Sequence, residues 1–211
     1  MFGNEMEVVT LGMGCFWSPE ALFGSLPGVV RTRVGYAGGT TEQPTYREMG
    51  DHSETVEIAF DADRISCDEL LDIFWNNHKP VNINGFKGRQ YQSLLLYRDE
   101  RQAEAFNRMK ERMEAAKGQP LETEIAPLAA FYPAEPRHQK YYLKRYPDAM
   151  EKLGSLYDSE EELMDSALAA RLNGVAKGYA NLAPVLQEIQ AWPLAEPDKA
   201  AILERVKQIR W

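Results

Sequence analysis

The feature that most constrains the fold is a change of texture near residue 155. Before it, short apolar runs alternate with helix-like stretches. After it, no stretch has strand character. The runs EVVTLGM (7–13), VVRTRVGY (29–36), SETVEIAF (53–60), SLLLY (93–97) and ETEIAPL (122–128) have the length and β-branched content of strands. Within 53–60, alternation predicts Val56, Ile58 and Phe60 on a core face and Thr55, Glu57 and Ala59 on a solvent face.

Helices are predicted between these runs. One spans 16–24, with Leu22 and Phe23 facing the core. CDELLDIFWNNH (67–78) opens on a Ser66/Glu69 capping box. A charged amphipathic helix over 99–117 stops near Gly118. Residues 138–152 start helical, with Pro147 marking a kink or break. Loops are expected at 37–45, at 81–90 with Gly85 and Gly88, and around Tyr132-Pro133. The order is strand-helix-strand-strand-helix-strand-helix-strand-helix. Its short connections fit an α+β domain over 1–155, with helices packed on a mixed or antiparallel sheet. Residues 156–211 are expected to form a helical extension, with Gly174 and Gly178 suited to close helix packing and Trp192 and Trp211 as anchors.

Charge and composition exclude several function classes. The 211 residues carry 32 carboxylates against 24 Lys plus Arg, a net charge of −8, which argues against nucleic acid and anionic membrane surfaces as partners. No apolar run has the roughly 18 residues of a membrane span. The N-terminal residues have no basic, then apolar, leader pattern, so a cytoplasmic protein with reduced thiols is expected. Two cysteines and three unclustered histidines predict neither a disulfide scaffold nor a metal site.

The candidate chemistry centres on GCFWSPE at 14–20. A free cysteine is commonly an inert, buried small hydrophobe. Here Pro19 has no amide hydrogen and suits only a first helical turn, so Cys15 stands at a helix threshold. Unpaired amides and the helix dipole favour a thiolate there, and the thiolate is the nucleophile. Gly14 permits a sharp turn beside it. Phe16 and Trp17 offer either an apolar pocket or plain core packing. The stretch GDHSETV (50–56) offers two partners. His52 with Cys15 would make a cysteine-hydrolase-like pair. Glu54, kept protonated by burial beside aromatic rings, would make an acid. Spacing does not choose between them.

The residues resemble one family closely. GCFW at 14–17, LPGVVRTRVGYAGG at 26–39, PTYREMGDHSE at 44–54, ISCDELLDIFWNNHKP at 65–80, RQYQS at 89–93 and TEIAPLAAFYPAEPRHQKY at 123–141 are together similar to the A-type peptide methionine sulfoxide reductases. The likeness covers about 1–150 in collinear order. It implies a two-layer α/β sandwich around a mixed sheet with a ferredoxin-like split βαβ core. It implies reduction of the S epimer of methionine sulfoxide, free or in proteins, as oxidative-damage repair. Carried over by position, Cys15 is the nucleophile and ends as a sulfenic acid, and Glu54 is the acid that protonates the sulfoxide oxygen. Tyr46 and Tyr91 hydrogen-bond that oxygen, and Phe16 and Trp17 form the methyl pocket. No cofactor is implied.

Two departures stand out. The family's C-terminal resolving cysteines are absent, which points to a one-cysteine cycle. In that cycle an external thiol, from thioredoxin, glutaredoxin with glutathione, or another small thiol, reduces Cys15. Cys67 is the sole internal alternative. Phe86 occupies a position where relatives often carry an Asp that orients the substrate backbone, with Asn84 as a substitute. The competing readings are a thiol enzyme using His52 and a binding module that keeps the pocket with little turnover.

Overall fold

Strand β1 (Met6–Met13) turns its fully buried Val9 and Leu11 toward the helices and Thr10 and Gly12 to the opposite face. This and the following geometry come from a computed structural model that describes residues 6–81 and 88–211. After β1, Gly14 takes φ +94°, a left-handed turn that favours glycine. Helix α1 (Trp17–Gly24) starts directly after it. Phe23 is fully buried in the core, whereas Leu22, expected to face the core, is only half-buried.

The remaining sheet elements are β2 (Val29–Ala37), β3 (Ser53–Asp61), β4 (Ser93–Tyr97), β5 (Glu124–Pro127) and β6 (Phe131–Pro133). They form one sheet in the order β5-β4-β1-β3-β2-β6. Strand β3 is antiparallel to both β1 and β2, so β1 and β2 run parallel with β3 between them. Strand β1 is antiparallel to both β3 and β4, so those two run parallel around β1. These are two interleaved split βαβ units, the ferredoxin-like core. Strand β5 pairs parallel to β4, which makes the sheet mixed. Helices α2 (Cys67–Asn76) and α3 (Glu100–Lys117) pack with α1 over Val9, Leu11, Val56, Ile58 and Leu95. The capping box of α2 is formed in both directions between Ser66 and Glu69.

Three expectations need correcting. Strand β3 is not half-exposed: Thr55 and Ala59 are buried and only Glu57 on that face reaches solvent. A central strand between two others loses its solvent side when the far face also packs, here around Ala37, Leu94, Leu96 and Phe131. The Tyr132-Pro133 stretch is not a loop but β6, an edge strand, where proline is tolerated. Pro147 does not break a helix. It starts α4 (Pro147–Gly154), while 136–146 holds two short 3₁₀ turns, Pro136–His138 and Leu143–Arg145.

Helices α5 (Glu160–Met164), α6 (Ala167–Lys177), α7 (Leu182–Gln190) and α8 (Glu196–Lys207) close the chain. With α4 they share a second apolar core containing Leu153, Leu172, Ile189, Trp192 and Val206. Trp211 stays 40% exposed, edge-on to Tyr146. Helix α6 lies directly against α1. A Cβ at Gly174 would come within 2.5 Å of the Ser25 side chain, and one at Gly24 within 2.7 Å of the Ala170 carbonyl. Arg171, almost fully buried, donates to the carbonyls of Gly24 (2.7 Å) and Val29 (2.7 Å) and pairs with Glu188. Gly178, by contrast, is the left-handed cap of α6. Among the described residues no helix is long and apolar enough to cross a membrane.

Candidate active site

The end of β1, the start of α1 and the start of β3 meet at one point. Strand alternation puts Glu54 on the same face as Val56 and Ile58, and it is 1% exposed. One carboxylate oxygen accepts from the Phe16 backbone N–H (3.0 Å), the other from the Gln90 side chain (2.9 Å). The Glu54 amide in turn donates to the Gln90 carbonyl. Cys15 is an exposed residue whose thiol is hydrogen-bonded to this carboxylate.

The electrostatics differ from the sequence expectation for Cys15. Its pKa is raised: loss of water around the sulfur is the largest cause, and the Glu54 charge adds to it. The Trp17 backbone amide at the helix start does pull the pKa down, but desolvation outweighs it. Glu54 is also raised, by burial, against the lowering effect of its three donors, the Gln90 side chain, the Phe16 amide and the Cys15 thiol. Each group therefore holds its proton more tightly than it would in water.

Tyr46 and Tyr91 both feel the charges of Glu54 and Cys15, and both hydroxyls are raised, mainly by desolvation. Tyr46 comes from the 38–52 loop. Its backbone N–H donates to Glu135, whose other oxygen accepts from Tyr36. Tyr91 lies in a segment tied to the sheet on either side. The Ser53 hydroxyl donates to the Arg89 carbonyl, and the Arg89 guanidinium binds Glu124.

The two aromatics after Cys15 separate. Phe16 is 1% exposed and packs on Tyr36 and His138, so it belongs to the core beneath the site. Trp17 lines an open groove of ≈ 400 Å³ together with Tyr46, Arg47, Arg137, His138 and Tyr141. Its ring stacks on Tyr141 at 3.8 Å between centroids, and its indole N–H points at His138 Nδ1 (3.3 Å).

His52 is not available to the thiol. Its Nδ1 accepts from the Gly39 amide and its Nε2 donates to the Thr41 carbonyl, so both nitrogens hold the 39–41 loop. Cys67 is also distant. Its thiol is raised to about 12, chiefly by burial, and feels Glu7 at the far end of β1. Six residues of strand separate Glu7 from Met13, about 20 Å, whereas a disulfide needs Cα atoms within about 7 Å. Phe86 and Asn84 lie outside the described residues. Among those described, no group of three or more His, Cys, Asp or Glu side chains could hold a metal.

Sequence reasoning missed Gln90 as a partner of Glu54, Glu135 as a partner of the Tyr46 amide, and His138 and Tyr141 as partners of Trp17. It also missed the buried pair Glu20–Lys140 (2.7 Å) beneath them. Lys140 further donates to the Thr32 carbonyl, and its own amide donates to Glu20. That anchor fixes the segment presenting His138 and Tyr141 to Trp17. Asn173 of α6 adds to it by accepting from the amides of Tyr142 and Leu143. Single polar residues inside PRHQKYY carry no local sign of this.

Comparison with known proteins agrees with this arrangement. A family model described as peptide methionine sulfoxide reductase matches residues 7–167. A Drosophila melanogaster peptide methionine sulfoxide reductase is 43% identical over 200 residues, 94% of this chain and 80% of its own length. The MsrA of Methanococcoides burtonii is 40% identical over 148 residues, 66% of this chain and 97% of its own. The solved structure of methionine sulfoxide reductase A of Corynebacterium diphtheriae superposes with a TM-score of 0.58 at 35% identity, covering 70% of this chain and 78% of that one. A strand-to-helix thiol bonded to a buried glutamate, on a split βαβ sheet matched across this length, leaves one assignment: the chain belongs to the peptide methionine sulfoxide reductases and is an enzyme of that type.

Proposed function

We propose that the protein reduces the S epimer of methionine sulfoxide, in polypeptides or free, through a Cys15 sulfenic acid that an external thiol then reduces. The observation that carries this reading is the Cys15 thiol bonded to the buried Glu54 carboxyl, whose pKa burial raises, next to Trp17 and Tyr46 of the groove. In the reactive state a proton sits on Glu54 and Cys15 is the thiolate. The thiolate attacks the sulfoxide sulfur, and Glu54 gives its proton to the oxygen. Tyr46 and Tyr91 donate hydrogen bonds to that oxygen as charge develops on it. Oxygen passes to Cys15 as S–OH, and methionine is released with its sulfur reduced. Two equivalents of thiol, or one dithiol such as thioredoxin, then return Cys15 to the thiol, releasing water and a disulfide. Trp17 supplies the apolar wall for the S-methyl group, and Phe16 supports it from the core. Repair of oxidised proteins in a reducing compartment is the corresponding role.

The test is turnover of separated epimers with a panel of thiol donors, together with intact mass after one equivalent of substrate without reductant. The expected results are S-epimer reduction and one added oxygen on Cys15. A Cys15–Cys67 disulfide would overturn the one-cysteine route, and no turnover with any thiol would overturn the reductase reading.

A further inference from the structure

The groove beside Cys15 has a charge that the chain as a whole does not. The protein carries −8, yet among the described residues the groove's lining includes Arg47 and Arg137 and no carboxylate. A third guanidinium, Arg145, lies 5.9 Å from the ring centre of Tyr141, on which Trp17 stacks. Arg47 and Arg145 are exposed, and among the described residues neither has an ion-pair partner.

Arg137 is only loosely held. It lies 3.5 Å from Glu135 in an exposed contact, while the Glu135 oxygens serve Tyr36 and the Tyr46 amide. Arg137 Nε also points at His138 Nε2 (3.2 Å), while Trp17 Nε1 points at His138 Nδ1 (3.3 Å). An uncharged imidazole accepts at one nitrogen only, so it cannot satisfy both donors. Arg137 and Tyr46 line the same groove, and the Arg137 charge pulls the Tyr46 hydroxyl down against the larger effect of desolvation.

We propose that these arginines make the groove selective for methionine sulfoxide flanked by Asp or Glu in a polypeptide. This rests on the reductase reading above and names its substrate class. A residue before or after the oxidised methionine reaches the groove rim once the S-methyl group is against Trp17. An acidic side chain there meets the guanidinium donors of Arg47 and Arg145, which have no ion-pair partner among the described residues, and of Arg137, which Glu135 holds only at 3.5 Å. A lysine there meets like charge.

The test compares kcat/KM for blocked tripeptides, acetyl-Xaa-Met(S-oxide)-Xaa-amide, with Xaa Asp, Ser or Lys. At low ionic strength the Asp peptide is expected to exceed the Lys peptide about tenfold, with the ratio falling toward one in high salt. The double variant Arg47→Glu/Arg137→Glu is expected to invert the order. The ratio is the readout, so a general loss of rate does not confuse it. A wild-type ratio within about twofold, or one indifferent to salt, overturns the proposal while leaving the reductase reading intact. An advantage confined to free methionine S-oxide over its amide also overturns it, because the ligand is then the α-carboxylate. Failure to reduce any peptide or the free amino acid sinks the reductase reading and this proposal with it.

Discussion

Two buried carboxylates, Glu20 on α1 and Glu54 at its N-terminus, are held in opposite ways. Glu20 is bound by a cation: Lys140 Nζ at 2.7 Å, with the Lys140 amide on its other oxygen. At the helix N-terminus, Glu54 has only neutral donors, the Phe16 amide, Gln90 and the Cys15 thiol, and no bound cation among the described residues. Burial is nearly complete at both. The difference lies in the partner. A paired cation makes a buried carboxylate a structural pin. Neutral donors only partly offset desolvation, so Glu54 is raised and its proton stays within reach of chemistry. On the proposed mechanism, Glu54 serves as the acid because the fold gives it neutral donors where it gives Glu20 a cation.

The largest expected effect comes from removing the acid. Glu54→Gln should lower kcat/KM about 10²–10⁴-fold, the range for a positioned general acid. It should cost only about 1 kcal/mol of stability, since the amide can accept from the Phe16 amide or from Gln90 but not from both. Glu20→Gln should do the reverse, with stability falling and chemistry persisting in the folded fraction. Steady-state kinetics beside urea melts separates the two, and equal kinetic losses would erase the distinction drawn here.

Next is the pin itself. Lys140→Met leaves Glu20 buried and unpaired and should cost about 3–5 kcal/mol of unfolding free energy. The double variant Glu20→Leu/Lys140→Met should recover most of that, because the pair's attraction is offset by its desolvation. If the single variant melts like the wild type, the Glu20–Lys140 pair is not the anchor described.

A smaller effect is expected where α6 meets α1. Gly174→Ala pushes a methyl into the Ser25 side chain and should cost about 1–3 kcal/mol as overpacking. A melt unchanged within error would show that the two helices separate readily.

The finest test reads the proton. Cys15 is raised first by desolvation and then by the Glu54 charge. In Glu54→Gln the second cause is gone, so the pH midpoint of Cys15 alkylation should move down. In the wild type, kcat/KM should fall on the acid side as both groups become protonated and the thiolate is lost. It should fall on the alkaline side as the Glu54 proton leaves and the acid is lost. Both raised groups place that window above the range of an isolated carboxylate. An alkylation midpoint that moves up in the variant would contradict the pairing.

Much of this molecule was legible one residue at a time. Strands β1 to β4, helices α1 to α3, the Ser66 capping box and the left-handed stop at Gly118 follow from periodicity, caps and turns, which are local properties. So does the position of Cys15 at a helix start, which Pro19 and Gly14 announce. The edge strand β6 was not legible, because a three-residue strand is defined by its neighbour β2. Neither was the burial of both faces of β3, which depends on what lies across the sheet.

The sequence by itself determined where the thiol sits on its own backbone and which residue types surround it. Only the tertiary structure decided which partner it has. His52 and Glu54 are two residues apart and equally plausible on paper. Sheet pairing turned one into a loop clamp on Gly39 and Thr41 and the other toward the sulfur. The tertiary structure also set the thiol's resting state, since a helix start lowers a pKa locally while desolvation and a neighbouring carboxylate raise it from across the fold. Solvent exclusion and long-range charge are sums over the whole packed chain, and no short stretch of sequence contains them.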